Sequence, residues 1–177
     1  VIRLLESTTG CRPSETVLKR VQLALDKRVK EFRERPLRGR YQYLFLDAAW
    51  AKDIVGLNAT RVCIMTAVGV TYSGEKEILG FERTSLENES GWRGFLSRLV
   101  SRGLKPSELT LVISDEHKGI EPAISEVLGD VSYQLCWAHR VRNILKAAER
   151  KDRHKLVEGL RRIYKAAHKA SAKAAFR

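Results

Sequence analysis

The stretch LTLVISDEHKG, residues 109–119, is an apolar run that stops abruptly at Ser114 and Asp115. An apolar run bounded by turn signals reads as a buried strand. Residues 120–128 follow with helical spacing. A carboxylate just past a buried strand stands where open α/β sheets build their sites, at the carboxyl ends of strands. Asp is also a preferred cap for the helix that follows. Which role Asp115 has turns on whether a second carboxylate arrives at the same place.

Upstream, YQYLFLD at 41–47 is a second apolar run that ends in an acid, Asp47. Its aromatic and aliphatic residues favour a strand. A polar connection containing Asp53, Gly56 and Asn58 leads to VCIMTAVGVT at 62–71, another buried strand. Ser73-Gly74 marks a hairpin turn, and EILGFE at 77–82 returns as a third strand. These three strands make an antiparallel meander. Asn88 and Glu89 open a helix whose apolar face is Trp92, Phe95, Leu96, Leu99 and Val100, with Gly103 as its stop. The strand at 109–113 comes next. Ile120, Ala123, Ile124, Val127 and Leu128 line a helix that stops at Gly129, and 131–135 is a short fifth strand. Trp137, Val141, Ile144, Leu145 and Ala148 define a further helix. The helical period then recurs at Leu156, Leu160, Ile163, Ala167 and Ala170.

The order β-β-β-α-β-α-β-α requires a mixed five-stranded sheet with helices on its faces. The strand after the crossover lies parallel to the first. Their carboxyl ends point the same way, which brings Asp47 and Asp115 to neighbouring positions.

Before the first strand, Ser14 caps a helix with Val17, Val21, Leu25, Val29 and Phe32 on one face, ended by Pro36. Its other face carries Lys19, Arg20, Lys27, Lys30 and Arg33. A short element, a break at Gly10 and a basic helix fit the second half of a helix-turn-helix, and equally an ordinary amphipathic surface helix.

The 177 residues amount to one domain, or one domain plus an appendage. With 44% hydrophobic and 31% charged residues the chain is globular rather than disordered. No apolar run approaches the ~20 residues that span a bilayer, and no signal peptide pattern opens it. Three scattered cysteines argue for a reduced, intracellular protein. The first residue is Val, so the chain reads as a piece of something longer. The formal charge of +12 is unevenly spread. Residues 1–40 carry 11 basic and 5 acidic side chains, residues 41–139 carry 9 and 13, and residues 140–177 carry 13 and 3. Basic arms attract phosphates, whereas an acidic centre repels them unless cations sit in it. That segregation favours a nucleic-acid partner over solvated helix faces.

Five ordered blocks narrow the reading. YQYLFLDA at 41–48, AVGVTYSGEKEILGF at 67–81, SLENESGWRGFLSRLVSRGL at 85–104, LVISDEHKGIEPAI at 111–124 and YQLCWAHRVRNIL at 133–145 resemble the Mutator-type transposases. That resemblance implies a ribonuclease H-like fold and a D-D-E transposase that cleaves and joins DNA at transposon ends. Asp47 would be the first catalytic acid and Asp115 the second, both metal ligands. The family's Cys-x-x-His pattern falls on Cys136 and His139. Its third acid, a Glu, follows a helical insertion. Only 62 residues follow Asp115, and they read as the start of that insertion. Glu149 and Glu158 are surface residues by pattern, so the third acid is expected beyond Arg177 and the isolated chain is expected to be inactive. Three parts follow: a DNA-binding segment ending at 40, an incomplete catalytic core at 41–150, and the insertion's start at 151–177.

In-line displacement at phosphorus can use two magnesium ions about 3.5–4 Å apart, stabilising the attacking and leaving oxygens. Magnesium prefers carboxylate and phosphate oxygens, and manganese is a substitute. On this reading Asp47 bridges the ions and Asp115 binds one. His117 either contacts substrate or orients Asp115, or is a surface residue. Asp53 reads as a turn residue. Cys136 and His139 are one pair where structural zinc needs four ligands, so they read as a brace for the site. Trp137 reads as core. Arg140, Arg142, Lys146, Arg150, Arg161 and Arg162 on the last helices, with Lys19, Arg20 and Lys27 on the first, are the candidate phosphate contacts. Expected partners are double-stranded DNA (transposon ends and target) and further copies of the protein, at least a dimer on DNA. The expected location is cytoplasmic, at the nucleoid, with no membrane contact. The alternatives are another ribonuclease H-like nuclease or integrase, and a non-catalytic DNA-binding remnant of a transposase.

Overall fold

The computed structural model describes residues 6–8, 10–55 and 58–176. Helix α1 (Glu15–Glu34) starts where Ser14 Oγ accepts the Val17 N–H at 3.4 Å, and Arg35 leaves helical geometry just before Pro36. The sheet holds β1 (Tyr41–Val55), β2 (Asn58–Thr71), β3 (Lys76–Thr84), β4 (Leu111–Ser114) and β5 (Ser132–Leu135). Between β3 and β4 lies α2 (Glu89–Ser101), and between β4 and β5 lies α3 (Ile120–Leu128). The chain continues through α4 (Trp137–Ala147), α5 (Arg153–Tyr164) and α6 (Lys169–Phe176).

Strand order is β3-β2-β1-β4-β5. The first three strands are antiparallel, and β1, β4 and β5 run parallel. This is the mixed five-stranded sheet expected from the element order. The core lies on one face. There Leu44 and Leu46 of β1, Cys63 and Met65 of β2, and Val112 of β4 meet Trp92, Phe95, Leu96 and Leu99 of α2 and Ile120, Ala123 and Ile124 of α3. Asn88 Oδ1 caps α2 by accepting the Gly91 N–H at 2.8 Å.

Several elements depart from expectation. The polar connection is strand at 48–55 and 58–61: β1 and β2 stay paired from Tyr41 opposite Thr71 to Val55 opposite Asn58. Such a two-stranded ribbon reaches beyond the sheet and has no core to face, so its sequence lacks the period-2 burial of an ordinary strand. Ala51 and Lys52 are exposed, and Arg61 lies over the Trp50 ring at 5.1 Å. Strand β4 begins later than the apolar run, because Leu109 closes a 3₁₀ turn by donating its N–H to Pro106 O. The apolar stripe of α1 is not core: no residue of that helix is buried, and it meets the sheet through Phe32 stacked on Phe81. Residues 1–5 and 9, part of the proposed helix-turn-helix, lie outside the described residues. The final helical stretch is two helices, with Ala167 in the break. Nothing in the sequence explains that break.

Candidate active site

The register of the sheet places the two acids. Leu46 pairs with Ser114 across the parallel β1–β4 ladder. One step further, Asp47 comes opposite the position that Asp115 takes as the chain leaves β4. Successive strand side chains alternate faces. Leu46 and Ser114 point into the core, so Asp47 falls on the other face, and Asp115 lies just past the last paired residue, near enough for the Asp47 charge to act on it. Asp47 is not at a strand end, as its sequence suggested. It is the seventh residue of a long strand and stands level with the carboxyl end of β4.

Asp115 does not cap α3. The capping position is Gly119, with no side-chain cap bond, and Asp115 sits in the turn before it. Ser114 is fully buried beneath it, and its hydroxyl shares hydrogen bonds with Asp115 O (2.8 Å) and Tyr133 Oη (2.9 Å). Burial raises the Asp115 pKa above the usual carboxylate range, and the Asp47 charge raises it further. The nearby His117 backbone N–H and the His139 and His117 rings pull it partway back. Asp115 Oδ1 is buried without a hydrogen-bond partner.

Helix α4 closes one side. Cys136 donates its N–H to Ser114 O at 2.5 Å, which fixes the start of α4 to the end of β4. One turn on, His139 Nε2 reaches within 3.8 Å of Asp47 Oδ1. The next residue, Arg140, pairs with Glu116 at 2.5 Å. Cys136 and His139 therefore stand beside the acids. The open sheet face beyond them forms a pocket of about 320 Å³, floored by Phe45, Val68, Val70 and Ile113 and lined also by Asp47, Cys136, His139 and Lys76.

The remaining candidates are spread out. Lys19, Arg20 and Lys27 are exposed on α1, and Lys27 lies 3.9 Å from Glu31. Arg142 and Lys146 of α4 and Arg161 and Arg162 of α5 are exposed, whereas Arg150 lies in the turn between those helices rather than on either. Arg140 is held by Glu116, which makes it a latch rather than a free cation. Trp137 is not core: it is 37% exposed and tilts against Tyr164 with ring centroids 6.1 Å apart. Sequence reasoning missed the Ser114–Tyr133 support and the Glu116–Arg140 latch, since neither pairing carries a spacing signal.

The model of the family described as "Transposase, Mutator family" matches residues 1–177. The chain belongs to the Mutator family of transposases. Among curated relatives, the transposase for insertion sequence element ISRM5 of Rhizobium meliloti is 35% identical over 90% of this chain and 39% of its own length. That for IS406 of Burkholderia multivorans is 36% identical over 90% and 40%. That for IS256 in transposon Tn4001 of Staphylococcus aureus is 32% identical over 93% and 42%. This Mutator-family chain thus spans about two-fifths of the length of the curated relatives it matches. Among solved structures, a simian T-cell lymphotropic virus intasome in complex with PP2A regulatory subunit B56 gamma matches at 12% identity and a TM-score of 0.36, over 81% of this chain and 50% of that one. A likeness that low carries no argument. Among the described residues, no helix is long and apolar enough to cross a membrane.

Proposed function

We propose that Asp47 and Asp115 are two of the three acids of a D-D-E transposase, which cleaves and joins DNA at transposon ends. The chain would be its central part, with 1–40 ending a DNA-binding segment, 41–150 forming most of the catalytic core and 151–177 starting a helical insertion. The third acid would lie in the rest of the protein, which would act on duplex DNA inside the cell as an oligomer. The observation that carries this reading is the convergence of two carboxylates at the carboxyl end of β4, one of them with a buried, unpartnered oxygen.

The donor set suits a hard divalent cation such as magnesium. Two oxygen-bearing side chains stand together, burial and then the Asp47 charge disfavour ionisation of Asp115, and one buried oxygen lacks a donor. Among the described residues no group of three or more His, Cys, Asp or Glu is arranged to hold a metal ion, so this chain offers part of a shell. Bound there, the cations would neutralise charge at the phosphate under attack. The protein's own residues do the rest. Asp47 pairs with Thr66 of β2 and directly follows Leu46, the last residue paired with β4, so its position tolerates little slack. His139 faces Asp47 and restrains its carboxylate. Glu116–Arg140 and Cys136–Ser114 hold α4 against the Asp115 turn. The basic arms, through Lys19, Arg20, Arg142, Lys146, Arg150, Arg161 and Arg162, would grip phosphates without reading sequence.

In the full-length protein, Asp47→Asn and Asp115→Asn should each abolish strand transfer with DNA binding retained. Strand transfer by either variant at the wild-type rate would refute the assignment. DNA binding should weaken steeply with salt, and Arg161→Ala should reduce the slope of log affinity against log salt by about 1. Salt-insensitive binding would remove the phosphate role of the arms.

A further inference from the structure

Glu87 precedes the cap of α2, and nothing in the assignment above uses it. Its side chain is only 7% exposed. A carboxylate that buried needs partners. Trp92 Nε1, in the first turn of α2, donates to Glu87 Oε1 at 3.3 Å. The same oxygen lies 3.6 Å from His117 Nδ1, two residues past Asp115. That ring nitrogen accepts the Gly119 N–H at 3.2 Å, so the turn's own backbone orients the His117 ring, and Glu87 packs against it without a hydrogen bond. His117 in turn aims its backbone N–H at the Asp115 carboxylate.

Packing reinforces this chain of contacts. A Cβ on Gly119 would meet Glu89 N at 2.6 Å and Asn88 C at 2.9 Å, so the turn lies backbone against backbone on the residues next to Glu87. Arg93 ties α2 to α3, the helix that follows the turn, pairing with Glu89 of its own helix at 2.5 Å and with Glu126 of α3 at 2.7 Å. Burial first, then the charges of Glu87 and Asp115, push the pKa of the Cys63 thiol upward, so both acids lie near that one side chain.

We infer that Glu87 is a positioning residue for Asp115, acting through the His117–Gly119 turn. It fixes where the second acid presents its oxygens and does not itself touch cation or substrate. This rests on the reading of Asp115 as a metal ligand. A group that orients a ligand typically alters metal affinity by about 10–100-fold when removed.

The test uses the full-length protein on transposon-end DNA, with magnesium titrated calorimetrically, strand-transfer rate measured at saturating magnesium, and DNA affinity and cooperative unfolding followed in parallel. Glu87→Ala should raise the half-saturating magnesium concentration by about tenfold or more, lower the rate, and leave DNA affinity within about threefold of wild type. Glu87→Gln keeps the oxygen that Trp92 needs and the shape of the side chain. It should restore both readouts to within about threefold of wild type. If Glu87→Ala fails to unfold cooperatively, Gly119→Ala replaces it, because it leaves Glu87 in place and lifts the turn; the same rise in magnesium requirement is expected. Two results overturn the inference alone, provided Asp115→Asn abolishes magnesium binding. One is wild-type magnesium affinity in Glu87→Ala or its replacement. The other is Glu87→Gln as deficient as Asp115→Asn, which would make Glu87 a ligand. Unchanged magnesium binding in Asp115→Asn overturns the metal reading and this inference with it.

Discussion

Asp47 lies within a fifteen-residue strand that pairs with β2 along its length and with β4 over four residues. Asp115 lies just past a four-residue strand, in a turn contacted by Glu87, just before α2, and by Tyr133 of β5. Backbone ladders place the first acid, and it is more than half exposed. Loop packing places the second, which is partly buried and short of one hydrogen bond. The difference separates two kinds of sensitivity. Damage near Asp47 must break a ladder to move it, whereas one extra methyl can move the Asp115 turn.

The largest expected effect ignores that difference. Asp47→Asn and Asp115→Asn should each reduce strand transfer by at least about a hundredfold, and the double variant should be little worse than either single one, because groups acting as a unit are not additive. Losses that multiply would mean two independent sites. Next comes Gly119→Ala, which puts a methyl against the Asn88–Glu89 backbone. Overpacking of this kind costs about 1–3 kcal/mol, and thermal or denaturant unfolding would measure it. A neutral substitution would show that the turn is not clamped.

The third prediction uses pH. Folded Asp115 keeps its proton to higher pH than it does in the unfolded chain, first because it is buried and then because Asp47 is near. Where only the folded state holds that proton, stability falls as pH rises. The cost is absent below the ordinary value of 3.8 and fully present once pH passes the raised folded value. Without metal, Asp115→Asn should therefore raise the unfolding midpoint at pH 7 and give no gain near pH 3. Asp47→Asn should give a smaller gain in the same direction, since it removes only the second cause. A stability loss in Asp115→Asn at pH 7 would contradict the burial argument. Smallest of all is Thr66→Val, which removes the bond from Thr66 Oγ1 to Asp47 O at 3.2 Å. On this exposed edge it should cost under about 1 kcal/mol and leave the rate within a factor of a few.

The sheet was legible because its central strands alternate core and open faces over enough residues to set direction. From YQYLFLD and LTLVISD alone, the parallel placement of β1 and β4 and the approach of their acids follow from connection rules. The ribbon beyond Asp47 was not legible, since Ala51 and Lys52 face solvent and polar residues there look like loop. The α1 stripe misled in the opposite sense: its spacing is helical, yet Val17, Leu25 and Val29 remain exposed. In the site, Asp47, Asp115, Cys136 and His139 stood out through the family blocks. Glu87 did not, because a Glu beside a helix cap reads as surface, and one of its contacts is His117, thirty residues later.

The most direct measurement is calorimetric titration of magnesium into the full-length protein on transposon-end DNA, for wild type, Asp47→Asn and Asp115→Asn. A shared two-acid site predicts saturable binding in wild type and its loss in each variant. Wild-type binding in either variant would contradict a shared site.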